Sequence, residues 1–451
     1  MENNKQYNKM TTKPIPILVG SLAIPTVLSM MVTNIYNMVD TAFVGRLSTS
    51  ASGAVGIVFG YMSILQAVGF MSGQGSGSIM SRYLGAKKLE DASRLSSSGF
   101  FMSFLLGLVI AVVSYIFLNP LIYLLGSTNT IAPYAKTYIS YIIIAAPILT
   151  SSLTLNNLLR YEGRAKLGTI GLMTGSILNI FGDALFMFKM NMGIAGAGLS
   201  TCLSQIISFS ILIFMFISHR TQTEIKFKNI GKDFNTYFNI FTTGFPSLLR
   251  QALNSISTMM LNGCAAVYGD EAVAAMSIVS RISFFVMSVA IGLGQGFQPV
   301  SSFNYGAKLY ARVKQAFWFT FAAAQIALIL IAIPTYVNAP VLVRLFRDDS
   351  LVVTYATRAL RLQCITMVAI PLTMLTEMGF QSTGQRLYAS IASSLRSGLV
   401  FMPCLFMLSR LRGLAGIQEA QPVAYIVSLP IYFYFTFLFL KRISMLEKNK
   451  P

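Results

Sequence analysis

Long apolar runs alternate along the chain with short polar segments rich in lysine, arginine, glycine and serine. A membrane-crossing helix needs about 20 predominantly apolar residues. By that measure the pattern predicts twelve spans, at 15–45, 52–82, 96–118, 132–159, 166–188, 194–218, 238–267, 271–303, 315–337, 353–382, 387–409 and 417–440. Several are longer than a perpendicular crossing requires, which predicts tilt or extension beyond the bilayer. One run carries a polar stripe. In Pro25–Arg46, the residues Thr33, Tyr36, Asn37, Asp40 and Thr41 recur at i, i+3, i+4, i+7 and i+8, on one helix face. A carboxylate at the bilayer centre costs about 2.5–3.5 kcal/mol on an insertion scale, so Asp40 must face protein or water. The stripe marks Asp40 as a candidate cation or proton site. Capping a helix end or pairing with a structural cation is the alternative.

Composition agrees with the pattern. The chain has 451 residues, of which 54% are hydrophobic and 11% charged; the mean hydropathy is +0.64. Soluble domains carry about 25% charged residues, so the fold class is an all-α polytopic membrane protein. The net charge of +19 is read as loop charge that sets topology rather than as a nucleic-acid surface. Lysine and arginine concentrate in alternate loops, for example Arg82, Lys87, Lys88 and Arg94, then Arg160, Arg164 and Lys166. That bias predicts both termini in the cytoplasm. The first apolar run is read as a helix, because it is too long for a signal peptide. Cys202, Cys264, Cys364 and Cys404 lie in apolar segments without CxxC spacing and read as packing residues. His219 is the single histidine, so neither a transition-metal centre nor a cofactor is expected.

The chain also repeats itself. Gly73-Gln74-Gly75 recurs as Gly294-Gln295-Gly296, Gly85-Ala86-Lys87 as Gly306-Ala307-Lys308, Pro25 as Pro246 and Gly163 as Gly384, all 221 positions apart. Gly193-Ile194-Ala195-Gly196 recurs as Gly413-Leu414-Ala415-Gly416 at an offset one shorter. The expected organisation is an N-terminal six-helix lobe over 1–218, a cytoplasmic linker over 219–237 and a C-terminal six-helix lobe over 238–451. Parallel repeats of this kind belong to transporters that bind substrate near the repeat interface. The GxG pairs lie inside apolar helices and read as close packing, not nucleotide loops.

The repeat does not carry the acids. Asp40 corresponds to Leu261, and Asn179 and Asp183 correspond to Leu399 and Pro403. On the fifth span Ser176, Asn179 and Asp183 share a face, and on the sixth Gly198, Thr201, Gln205 and Ser208 share another. If these faces meet the Asp40 stripe, two carboxylates, an amide oxygen and several hydroxyls form a hard-oxygen set suited to Na⁺ or to a shared proton. The second half instead places Arg250, Gln251, Asn254, Arg281, Glu377 and Arg396 within its spans. Glu377 is expected to pair with one of those arginines, as a structural bridge or as part of a basic cavity wall. Candidate substrate contacts are Tyr36, Asn37, Gln66, Arg250, Met259 and Glu377. Pro25 is a candidate hinge or a static kink.

Together, NMVDTAFVGRL on the first span, SRYLGAKK with its counterpart NYGAKLY, NIFGDALF on the fifth and the following GIAGAGLST resemble the multidrug and toxic compound extrusion (MATE) family. The resemblance covers about residues 14–443 and is greatest to the bacterial DinF-like branch, with MepA-type exporters close by. It implies a V-shaped, two-lobed antiporter without enzymatic activity, exporting amphipathic, often cationic compounds in exchange for Na⁺ or H⁺. It also implies a cation or proton site at Asp40, Asn179, Asp183 and Thr201, and helix bending at Pro25. A second branch uses acids on the seventh and tenth spans. Here the seventh has none and the tenth only Glu377, which favours the first lobe. The expected partners are small molecules and lipid, with no nucleic acid and a monomeric chain. A lipid-linked oligosaccharide flippase is the alternative, with the arginines holding pyrophosphate; Asp40 and Asp183 would repel that substrate. A membrane-embedded transferase would need a catalytic motif that the sequence does not offer.

Overall fold

The computed structural model describes residues 2–449, except for the side chains of residues 2, 3, 49 and 397. The first half comprises α1 (Glu2–Thr12), α2 (Ile15–Gly45), α3 (Thr49–Gly85), α4 (Leu89–Ile116), α5 (Leu118–Leu124), α6 (Ala132–Tyr161), α7 (Ala165–Asp183) and α8 (Ile194–Ile217). The second half comprises α9 (Phe234–Ala266), α10 (Asp270–Gly306), α11 (Tyr310–Val337), α12 (Ala339–Arg344), α13 (Ser350–Thr366), α14 (Ile370–Ser382), α15 (Arg386–Ser394), α16 (Phe401–Arg412) and α17 (Leu414–Lys448). Among the described residues, ten helical segments are long and apolar enough to cross a membrane. The remaining two of the twelve expected spans correspond to α9, which carries Arg250, Gln251 and Asn254, and the interrupted stretch 386–412.

Three spans are less regular than their hydrophobic runs predict. The fifth changes to a π-turn, Ala184–Lys189, immediately after Asp183. The tenth is broken by a 3₁₀ turn, Met367–Ala369, just before Pro371, which has no N–H to continue a helical ladder. The eleventh carries a second π-turn, Leu395–Leu399. A hydrophobicity pattern does not register a one-residue change in hydrogen-bond ladder.

The repeat extends to backbone detail. Gly163 and Gly384 have φ of +79° and +82°, Gly193 and Gly413 have +55° and +61°, and Lys87 and Lys308 have +60° and +58°. Glycine reaches this region without a Cβ penalty, which explains why the helix-flanking glycines recur.

By contacts the chain divides into two units. The first contains residues up to 12 and 28–251; the second contains 13–27 and 252 onward. The leading parts of α2 and α9 are thus exchanged, and the changes of unit fall close after Pro25 and Pro246. Glycines permit both exchanges. In the first unit, a Cβ on Gly75 would lie 2.2 Å from the Ile240 carbonyl oxygen, and one on Gly244 would lie 1.9 Å from that of Met71. In the second unit, a Cβ on Gly296 would lie 2.6 Å from Ala23 Cβ, and one on Gly292 would lie 2.4 Å from Val27 Cγ2. Both GxG pairs therefore serve helix packing.

The connector after α8 is tied to the first unit. Glu162, fully buried beyond α6, accepts the backbone N–H of Gln222 at 2.9 Å and of Thr223 at 3.0 Å, and also the Thr223 hydroxyl. Ser97 and Ser98 accept the N–H groups of Lys226 at 3.2 Å and Gly231 at 2.8 Å. On the other side Gln6 of α1 donates to the Glu162 carbonyl at 2.8 Å. Burial pushes the Glu162 carboxyl above its ordinary range, against the opposing effect of those donors. Glu162→Ala would strand buried donors at a cost of about 1–3 kcal/mol each. It is expected to lower the unfolding temperature and expose 219–233 to protease; unchanged thermal unfolding and proteolysis would contradict this role.

Candidate functional site

The Asp40 stripe lies on the part of α2 that belongs to the first unit, with α6, α7 and α8. Close approach of α7 to α8 rests on small residues: a Cβ on Gly182 would meet Ser200 Oγ at 2.4 Å, and one on Gly175 would meet Ser208 Cβ at 2.9 Å. The polar faces of the fifth and sixth spans consequently meet. Asn179 Nδ2 donates to Thr201 Oγ1 at 3.2 Å and to Ser200 Oγ at 3.3 Å, while the Ser200 hydroxyl donates to the Asn179 carbonyl at 3.0 Å.

Asp40 and Asp183 stand side by side, 7% and 0% exposed. Tyr138 of α6 lies beside Asp40 and Thr201, and Tyr36 lies beside both carboxylates. Asp40 Oδ1, both Asp183 carboxylate oxygens and Asn179 Oδ1 are buried and receive no hydrogen bond of acceptable geometry, although the Tyr138 and Ser200 hydroxyls lie beside Asp40 and Asp183. Neither acid forms an ion pair with a lysine or arginine among the described residues. A buried acceptor without a donor costs about 1–3 kcal/mol, and more when charged. Four such oxygens around two carboxylates constitute a strong local demand for positive charge. A proton or a small hard cation meets it, because the donors are carboxylate, amide and hydroxyl oxygens. No group of three His, Cys, Asp or Glu side chains that could hold a metal ion exists among the described residues.

Of the residues expected at this site, Asp40, Asn179, Asp183 and Thr201 are brought together, and Tyr36 joins them. Asn37 is half-buried one turn before Asp40 and its carbonyl accepts the Thr41 hydroxyl at 2.8 Å. The other candidates are placed elsewhere. Gln66 is half-buried on α3, and Arg250 lies near Arg160 and Tyr161 within the first unit. Met259, 74% exposed on α9, and Glu377, buried near Arg396, belong to the second unit. Tyr138 and Ser200 were not evident from sequence. Ser200 could have been found beside Thr201, whereas Tyr138 is one tyrosine in an apolar span with no local signal. Pro25 is buried inside α2, two residues before the change of unit.

An all-helical membrane body with internal two-fold repetition has the architecture of a secondary transporter. The MatE family model matches residues 25–185 and again 246–407, one match in each half. The chain belongs to the MatE family. It is 25% identical over 430 residues to Multidrug export protein MepA of Staphylococcus saprophyticus, covering 94% of this chain and 92% of the relative. It is 26% identical to Multidrug export protein MepA of Staphylococcus haemolyticus, covering 92% and 90%. Among solved structures it is similar to a multidrug resistance MATE family transporter of the MOP superfamily in an outward-facing conformation. That likeness has a TM-score of 0.92 at 23% identity over 99% of both chains. A MATE crystal structure in the bent conformation gives a TM-score of 0.90 at 23% identity, also over 99% of both chains.

Proposed function

We propose that this chain is a multidrug antiporter of a bacterial plasma membrane. It exports amphipathic, mainly cationic compounds by alternating access, driven by inward movement of H⁺ or Na⁺. The observation that carries the proposal is the unneutralised acceptor cluster of Asp40, Asp183 and Asn179. Two adjacent buried carboxylates need a positive charge, and a site that alternately takes up and releases one provides a coupling step. Asp40 and Asp183 hold the proton or ion, Asn179 contributes its amide oxygen, and Thr201 orients that amide by accepting from its nitrogen. Tyr36 and Asn37 line the approach to Asp40 for substrate. Bending of α2 at Pro25 links the charge state of Asp40 to access. The positive-inside charge bias supports cytoplasmic termini, and the MepA relatives support drug-like cargo.

The class of cargo is tested in cells. Expression in a host stripped of its own efflux pumps is expected to raise resistance to lipophilic organic cations several-fold, with faster energy-dependent loss of a cationic dye. Unchanged drug sensitivity, together with a cell-envelope defect on deletion in the native host, would instead indicate a lipid-linked sugar flippase.

A further inference from the structure

The second unit contains a partly open cavity of ≈ 130 Å³ bordered by α9, α10, α13, the π-turn 395–399, α16 and α17. Its lining includes Leu261, Gln363, Arg396, Gln421 and Tyr425, and no aspartate or glutamate. Its position in the repeat is informative. Leu261 is the counterpart of Asp40 at the 221-residue offset; Gln421 is the counterpart of Thr201, and Arg396 that of Ser176, at the 220-residue offset. The cavity thus occupies, in the second unit, the place that the acid cluster occupies in the first. The acids give way to apolar Leu261 and Pro403, and donors enter instead where Ser176 and Thr201 become Arg396 and Gln421.

The hydrogen bonds reinforce this polarity. The Ser283 hydroxyl donates to Gln363 Oε1, and Gln363 Nε2 donates to Gln421 Oε1 at 3.3 Å. The Gln421 oxygen is therefore engaged and its NH₂ donors are left for other partners. Arg396 Nη1 is buried and has no hydrogen-bond partner. Glu377, buried on α14, lies near Arg396 and offsets part of its charge, with Tyr425 and Tyr432 on other sides. Glu377 does not line the cavity, and a structural Glu377–Arg396 bridge alone would leave Nη1 stranded. Arg396 and Gln421 line a cavity whose other walls are largely apolar, among them Leu261, Phe284 and Met287, and a guanidinium with an amide beside an apolar wall matches a carboxylate on an apolar body. At about 10–15 Å³ of accessible volume per water, the cavity admits a group several waters in size, such as a carboxylate on a small ring.

We propose that this cavity is a second ligand site, which binds the carboxylate of an amphipathic solute through Arg396 and Gln421. It would let one transporter accept anionic or zwitterionic compounds as well as cations. The binding claim stands independently of ion coupling at Asp40, so its test is binding and not transport.

Purified full-length protein in detergent is titrated calorimetrically with sodium benzoate and, separately, with methyl benzoate, in chloride-free buffer. Benzoate is expected to bind saturably, and the uncharged ester at least about tenfold more weakly. Arg396→Gln is expected to weaken benzoate by about tenfold or more. Because that change leaves Glu377 without its neighbour and can impair folding, Gln421→Glu provides the second variant. It sets a carboxylate in the cavity and is expected to eliminate benzoate binding in protein that remains monodisperse. Equal binding of benzoate and its ester, undiminished binding in Gln421→Glu, or displacement of benzoate by chloride at equal concentration would overturn the proposal.

Discussion

Asp40→Asn is expected to abolish concentrative export while the protein still folds and inserts. The substitution keeps the shape of the side chain and removes its ability to carry a charge. Asp183 then retains an acid without a partner acid, and the cluster no longer has to exchange a positive charge. The stability consequence distinguishes this account from a structural one. Asp40 and Asp183 make no ion pair among the described residues, and three of their buried oxygens accept no hydrogen bond of acceptable geometry. Removing one uncompensated carboxylate is therefore expected to leave the unfolding temperature unchanged or raise it, whereas breaking a buried salt bridge would cost about 3–5 kcal/mol. Stabilised but inactive protein is the pattern of a site held under strain for function. Asp183→Asn is expected to behave in the same way. Wild-type drug resistance in cells producing Asp40→Asn would contradict the coupling role, and a large loss of thermal stability would contradict the absence of a structural one.

The second large effect is structural. Gly75→Leu and Gly244→Leu are each expected to prevent recovery of folded protein. The contacts involved are with backbone, the Ile240 and Met71 carbonyls, which cannot move aside by rotating a side chain. Overpacking a core costs about 1–3 kcal/mol even where side chains can adjust, and here a bulky group must separate two helices. Gly20→Ala in α2 is the control, since a Cβ there meets nothing within 4 Å. It is expected to be neutral or to stabilise by up to about 1 kcal/mol through helix propensity. Fluorescence-detected size-exclusion chromatography and thermal unfolding read both outcomes. Monodisperse Gly244→Leu at wild-type yield would contradict the packing.

The spans were legible because each is a largely continuous apolar run, and most observed limits fall close to the runs, although α4 begins at Leu89 rather than 96 and α17 extends to Lys448 rather than 440. The repeat was legible from glycines: Gly163, Gly193 and their counterparts hold positive φ, and Gly73, Gly75 and theirs leave room for close neighbours. The Asp40 stripe and the Asn179–Asp183 face were legible because polar residues in an apolar helix stand out at the helical period. The π-turns beside Asp183 and through Arg396 were not, since a one-residue change in ladder leaves hydrophobicity unaltered. Nor was the exchange of the leading parts of α2 and α9, which depends on contacts between segments far apart in sequence. Tyr138 escaped for the same reason: its relevance comes from Asp40, about a hundred residues earlier.

The central claim is that the acceptor cluster in the first unit exchanges a proton or Na⁺ against substrate. It is tested most directly in proteoliposomes loaded with a fluorescent organic cation, with a Na⁺ gradient and a pH gradient imposed separately, for the wild type and Asp40→Asn. The account predicts that the wild type moves the cation against its gradient under at least one of the two driving forces, and that Asp40→Asn does so under neither. Wild-type protein that transports under neither gradient, or Asp40→Asn that transports as the wild type does, would contradict it.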